Sequence, residues 1–430
     1  MENPLEANPD IIRTIVEYVH EDSYLFFVPV CHGWQKAWGP DRPTSTRALT
    51  PASTVSQFAS CFENGLRRHA GLVERAAVLG REDLVQCALD CGCLWSSSVF
   101  AKAAEAGQRS VIEWAHRQGR GLDRKVCSGA AVGGHLDLLR WAHGMECLWD
   151  ESTCSAAALG GHVDVIEFAR SKECPWNSWS CRQAALGGHL DVLEFLRRSG
   201  CPWCEETCAG AAQGGHLGIL RWARSAGCPW SAKTCASAAL GGHLDVLMWL
   251  RANGCPWSSS ASERAAEGGH LDVLKWLDAN GCDMSPFICS EAAKGGHLAV
   301  VIWARVKRLP WGATCLEAAL GGHLDVLCWA KAHGAPWDKN TCAAAAANGH
   351  LEVLQAAHKH GCPWDEGTTN AAARGGYLKL LKWARSKNCP WDAKIISWAA
   401  KAGHTPVVAW ALANGAPRAG NGLNEVPLLY

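Results

Sequence analysis

Apolar and polar positions along the chain fall into one pattern that keeps returning, most plainly in Gly241 to Trp257, GGHLDVLMWLRANGCPW. After the glycine pair, Leu244, Val246, Leu247, Trp249 and Leu250 stand one, three, four, six and seven residues past His243. That is one face of a helix with 3.6 residues per turn. The spacing predicts an amphipathic helix, the B helix of the unit. Asp245 belongs to its first turn, where the helix dipole favours an anion. Gly254 ends it in a left-handed conformation, and Pro256 forbids continuation. Upstream, Thr234 to Leu240 (TCASAAL) predicts a short A helix, with Thr234 as N-cap and the alanines allowing close backbone approach. Only Gly241 and Gly242 join the two, so they run antiparallel.

Taking His243 as an anchor, copies of the pattern are anchored at Arg81, Gln108, His135, His162, His189, His216, His243, His270, His297, His323, His350, Tyr377 and His404. Eleven of the twelve intervals are 27 residues and the one from His297 to His323 is 26. A fixed period of this size marks an array whose units are each too small to bury their own apolar face. The missing residue lies between Trp311 and Cys315, so a tighter turn with helices still in register is expected there. The Thr followed by paired Ala, the Gly-His-Leu-Asp-Val-Leu run and the closing Gly resemble an ankyrin repeat, over residues 68–418. An ankyrin unit has about 33 residues; here the protruding β-hairpin finger is cut to a Cys-Pro-Trp turn. Trp-rich short units of this kind resemble ankyrin-like families of giant DNA viruses and some protists. The resemblance implies an all-α fold, an ankyrin-like α-solenoid of about 13 helix-turn-helix repeats.

Residues 8–38 carry a different pattern. Pro9 and Asp10 open a helix, Ile11, Ile12, Ile15, Val16 and Val19 give it an apolar face, and Leu25, Val28, Cys31 and Trp34 repeat the theme. About thirty residues are too few for a core, so the stripe needs a partner. Pro9-Asp10-Ile11-Ile12, Tyr18-Val19 and Val30-Cys31 with Trp34 resemble an F-box. That resemblance implies docking onto the Skp-type linker of a cullin-RING ubiquitin ligase through Pro9, Ile11, Ile12, Ile15, Val19, Leu25, Cys31 and Trp34. The alternative is a helical pair that only caps the array. The expected layout is an F-box-like segment at 1–40, a linker rich in Pro, Ser and Thr at 41–53, the array at 54–418 and a tail at 419–430. Within the array, 54–67 reads as a degenerate capping half repeat, and Pro406 and Arg418 mark decay at the far end.

Charge narrows the partners: Lys plus Arg and Asp plus Glu both number 41, a poor footprint for nucleic acid or an anionic membrane. No 18-residue apolar run exists, and MENPLEANPD carries acids where a signal peptide needs positive charge. A monomer in the cytosol or nucleus is expected, of the host cell if the protein is viral.

Candidate chemistry dissolves once the copies are aligned. Cys201-Pro-Trp-Cys204 has redox or zinc spacing, yet most of the 23 cysteines fill two columns that also accept Leu309, Ala335, Ser262 and Thr369. Those columns are small packing positions. The anchor histidines stand one repeat, about 10 Å, apart, too far to share an ion with ligands near 2 Å; the expected role is a hydrogen bond tying each A–B turn to a neighbour's backbone. The tryptophans six and fourteen past the anchor read as core, Trp249 among them. No phosphate loop, paired acids or nucleophile constellation lies outside the repeat register, so a non-enzymatic protein without catalytic residues, cofactor or metal is expected. Positions that vary between copies then carry the recognition: Arg182, Gln183, Glu263, Arg264, Glu267, Glu291, Lys294, Glu317 and Arg374, with Trp179 and Trp398, outside both tryptophan columns, as exposed aromatics.

Overall fold

The computed structural model describes residue 49 and residues 53–63 and 70–417. The F-box-like segment at 1–40 and the tail at 419–430 lie outside the described residues. Every regular element among the described residues is an α-helix. The chain divides between Thr207 and Cys208 into two units, each an α-solenoid of stacked helix pairs.

One repeat of the second unit shows why the sequence folds this way. The A helix spans Ala232–Gly241 and the B helix Leu244–Ala252. Ser231, rather than Thr234, is the N-cap: the residue after Pro-Trp emerges in extended backbone, φ −145° and ψ −176°, as an N-cap requires. Its Oγ accepts the Lys233 amide at 3.3 Å, while Thr234 Oγ1 accepts the Ser231 amide at 3.3 Å, a capping box. The threonine is thus an N3 residue turned into the core. The side chains of Asp123, Asp150, Asn177, Asp338 and Asp365 likewise accept the amide two residues on in their A helices, and Asp338 completes a capping box with Thr341.

Gly242 closes the A helix at φ +74°, and its missing side chain makes room for the next repeat. A Cβ there would stand 2.4 Å from His270 Nδ1, and one on Gly241 would stand 2.3 Å from the Gln213 carbonyl oxygen. His243 Nε2 lies 3.0 Å from Gln213 O, His270 Nε2 3.0 Å from Leu240 O and His297 Nε2 3.0 Å from Glu267 O. In the first unit His135 and His162 reach Glu105 O and Val132 O, both at 3.1 Å. Since a carbonyl only accepts, Nε2 carries the proton. Each of these anchor histidines, and likewise His323, His350 and His404, satisfies a carbonyl that the end of the preceding A helix leaves unpaired, the neighbour tie expected from the sequence.

The turn cysteines act in the same sense from the other side. Cys255 Sγ donates to Ser231 O at 3.5 Å, Cys174 to Asp150 O at 3.4 Å and Cys362 to Asp338 O at 3.2 Å. Cys201 of the Cys-Pro-Trp-Cys run donates to Asn177 O at 3.3 Å. All four are buried, and burial pushes the thiols of Cys289 and Cys315 up to about 11. Cys289 and Cys315, which belong to A helices, are thereby packing groups held neutral.

The tryptophans correct the expectation of a plain core. Val246, Leu247 and Leu250 are fully buried, but Trp249 and Trp257 are half-buried. Alanines line the A helices and let them approach closely, whereas the B helices are spaced by bulk that reaches the surface. There Trp230 meets Trp249 edge to face at 5.9 Å, and Trp257 meets Trp276 likewise. Arg251 lies 3.9 Å over the Trp257 ring and its Nη1 donates to Cys255 O at 2.7 Å. The arginine thereby seals a turn the tryptophan only half covers.

At the period break the turn shortens and the helices keep register. Gly312 takes φ +53°, the A helix starts at Thr314, and His323 Nε2 still reaches Lys294 O at 3.0 Å. Pro406 does not end the array, because it sits in the first turn of Thr405–Ala413, where its lost amide has no partner to miss. Trp410 packs on Trp391 at 5.9 Å as in earlier copies. At the other end the helix Val55–Glu63 buries Phe58, and Cys87 Sγ donates to Val55 O at 3.8 Å.

Candidate interaction surface

Inward positions of the A helices are occupied by Ala, Cys and Thr at contact with neighbours, and the side chains three, six and ten before the anchor mostly face outward, while the one seven before it is buried in some copies (Ser155, Ala209, Ala236, Ser290) and reaches the surface in others (Arg182, Glu263). Contacts between copies show that these positions form one face within a unit. In the second unit Lys294 Nζ lies 3.8 Å from Glu267 Oε1 of the preceding repeat and 3.7 Å from Glu291 Oε2 of its own, and Arg264 pairs with Glu267. Ser285 Oγ donates to Glu263 Oε2 at 3.4 Å. The fold therefore brings Glu263, Arg264, Glu267, Glu291 and Lys294 into one network, with Glu317 one repeat further on. Such exposed pairs contribute little to stability, which leaves them available for recognition.

Arg374 and Trp398 form a second group: the guanidinium of Arg374 lies 5.3 Å from the Trp398 ring and the ammonium of Lys401 5.8 Å from it. Trp398 is 39% exposed. In the first unit Arg182 stacks on Trp179 at 4.4 Å, and its Nη1 donates to Gln183 Oε1 at 3.4 Å. Arg182 Nε also stands 3.8 Å from Glu206 Oε2. Trp179 is 46% exposed. The eleven residues proposed from the sequence thus resolve into a Trp179–Arg182–Gln183 group, a charged network with Glu317 beyond it, and the Arg374–Trp398 pair. Pro9, Ile11, Ile12, Ile15, Val19, Leu25, Cys31 and Trp34 lie outside the described residues.

Several exposed apolar residues were missed, of which three have a signal in the columns. Phe287, 57% exposed, stands ten before its anchor, the column Trp179 occupies; aligning that column would have found it. Leu94 and Leu148, 76% and 80% exposed, replace the proline of the turn, a substitution visible in the sequence. Among the described residues no group of three or more His, Cys, Asp or Glu stands together as a metal site, and no helix is long and apolar enough to cross a membrane.

No protein-family model and no curated protein matches the chain. This chain is a helical repeat protein. Its own period and helices establish that. Among solved structures it is similar to the pentatricopeptide repeat protein PPR10 in complex with an 18-nucleotide psaJ RNA element, at 13% identity and TM-score 0.30, over 96% of this chain and 72% of that one. The pentatricopeptide repeat protein PPR10 from maize gives 13% identity and TM-score 0.28, over 96% of this chain and 74% of that one. The human ASB11 ankyrin repeat domain gives 16% identity and TM-score 0.28, over 49% of this chain and 99% of that one.

Proposed function

We propose that the chain is a non-enzymatic recognition protein whose A-helix faces bind a protein target and whose residues 1–40 dock an F-box-like pair onto the Skp-type linker of a cullin-RING ubiquitin ligase. On this reading it is a substrate adaptor of the F-box and short ankyrin-like type found in giant DNA viruses, working as a monomer in the cytosol or nucleus of a host cell. One observation carries the recognition half. The outward A-helix positions vary between copies and gather Arg264, Glu267, Glu291 and Lys294 into one charged group across repeats, whereas the exposed B-helix positions, which also vary (Met248, Lys275, Ile302), form no such group among the described residues. The ligase half is supported by Pro9-Asp10-Ile11-Ile12, Val30-Cys31 and Trp34. Co-purification of the full chain with a Skp-type linker tests it: retention is expected, with loss in the Trp34→Ala and Ile15→Asp variants. No retention by the parent chain would leave an interaction scaffold whose N-terminal helices only cap the array, the second reading.

A further inference from the structure

The outward A-helix face of the second unit has opposite charge at its two ends. Toward its middle repeats stand Glu263, Glu267, Glu291 and Glu317 with only Arg264 and Lys294 against them, and both cations already pair with glutamates of the same group. Two and more repeats on, the face turns cationic: Arg374, Lys401 and Lys394 surround exposed Trp398. Lys394 has Asp392 at 4.0 Å. Arg374 and Lys401 have the Trp398 ring between them, and no carboxylate lies within 4 Å of either among the described residues. Between the ends the A-helix face carries the small, uncharged Ala343 and Ala347.

We propose that this face takes an extended polypeptide segment of the target with acidic residues at one end and basic residues at the other. The inference rests on the protein-recognition reading above and adds the partner's chemistry. Carboxylates of the segment meet Arg374 and Lys401 beside the flat Trp398 ring, which offers an apolar plate where salt screening is weakest. Basic side chains meet the glutamate group, displacing no internal pair of consequence because Glu317 and Glu263 hold no cation among the described residues. The alanines between leave room for a backbone to lie close. Repeats stack about 10 Å apart and an extended chain rises about 3.3 Å per residue, so the four steps from Glu291 to Trp398 correspond to roughly 12 residues. A nucleic-acid strand fits the cationic end alone, since its phosphates would next meet the glutamates.

The test uses the full chain and three fluorescein-labelled probes: a 16-residue peptide with two Asp at one end and two Arg about ten residues away, the same composition with the charges intermixed, and a 12-nucleotide single-stranded RNA. Fluorescence anisotropy at ionic strength near 0.1 M should give tightest binding for the first peptide, at least tenfold tighter than for the intermixed one. The Arg374→Glu, Lys401→Glu double variant should lose at least tenfold for that peptide and recover it for a peptide carrying Arg at both ends. These surface changes leave the helical circular dichroism intact, so a loss cannot come from unfolding. Equal binding of the two peptides, tighter binding of the RNA, or no recovery by the charge-swapped peptide would overturn the proposal. If the target reading holds through other contacts, the chain still retains its linker and target while these charge swaps change nothing.

Discussion

Replacing Gly242 by Ala should damage the stack more than the same change at Gly403, although both glycines occupy the same place in their repeats. Gly242 has φ +74° and Gly403 φ +77°, so each alanine is forced into the left-handed region at about 1–2 kcal/mol. At Gly403 nothing lies within 4 Å of the new Cβ, and the cost stops there. At Gly242 the Cβ would stand 2.4 Å from His270 Nδ1 and 2.5 Å from Cε1, a separation no ring tolerates. His270 must swing away, which breaks its hydrogen bond to Leu240 O and adds about 0.5–1.5 kcal/mol with an acceptor left unpaired. The expected losses are about 1.5–3.5 kcal/mol at Gly242 and about 1–2 kcal/mol at Gly403. Urea denaturation followed by tryptophan fluorescence and helical circular dichroism would measure both. Adding His270→Ala to Gly242→Ala removes the clash, so the double variant should lose less than the sum of the singles. Equal losses at the two glycines, or strict additivity with His270→Ala, would refute the account of how repeats are tied.

Trp249→Ala should cost about 2–3 kcal/mol, below a fully buried tryptophan because half of the ring already meets solvent, whereas Glu267→Ala should stay within about 0.5 kcal/mol; a large loss at Glu267 in the same urea assay would place that face in the core. Glu173 holds φ +61° where most copies have glycine, so Glu173→Gly should raise the urea midpoint by the equivalent of about 0.5–1 kcal/mol, and a lowered midpoint would contradict it. Because burial pushes the Cys289 and Cys315 thiols up to about 11, the unfolded chain ionises first, binding fewer protons than the native state once the pH passes the ordinary thiol value of about 8.5. Stability is therefore complete below about pH 8.5 and falls as pH rises toward 11, by up to about 1.4 kcal/mol per pH unit for each such thiol. Urea midpoints at pH 7 and pH 10 under reducing conditions should separate, and less so for the Cys289→Ala, Cys315→Ala variant; an unchanged midpoint would show the thiols are not held neutral.

The repeat, its two helices and the duty of the anchor histidine were legible because one period multiplies each weak local signal thirteen times over. His243 could be read as a tie from its column alone. The N-cap could not: Thr234 and Ser231 are both good capping residues, and only the extended backbone at Ser231 decides between them. Burial of Trp249 was misread for a related reason. Periodicity places a side chain on the inner stripe of its helix, but whether that stripe is covered depends on how far apart the B helices stand. The surface groups were legible as variable positions, yet the pairing of Arg374 with Trp398 joins residues on different repeats, and Phe287 escaped notice because tryptophan alone was followed through the columns.

The central claim is that the A-helix faces, and not the B-helix side, bind a protein target. A photo-crosslinking amino acid placed singly at Arg264, Glu291 and Arg374, and for comparison at Met248 and Lys275, which are exposed on B helices, tests it most directly in intact cells expressing the chain. The account predicts that the three A-helix positions give crosslinks to the same protein and the two B-helix positions give none. Crosslinks to that protein chiefly from Met248 and Lys275, or crosslinks from the A-helix positions to nucleic acid, would contradict it.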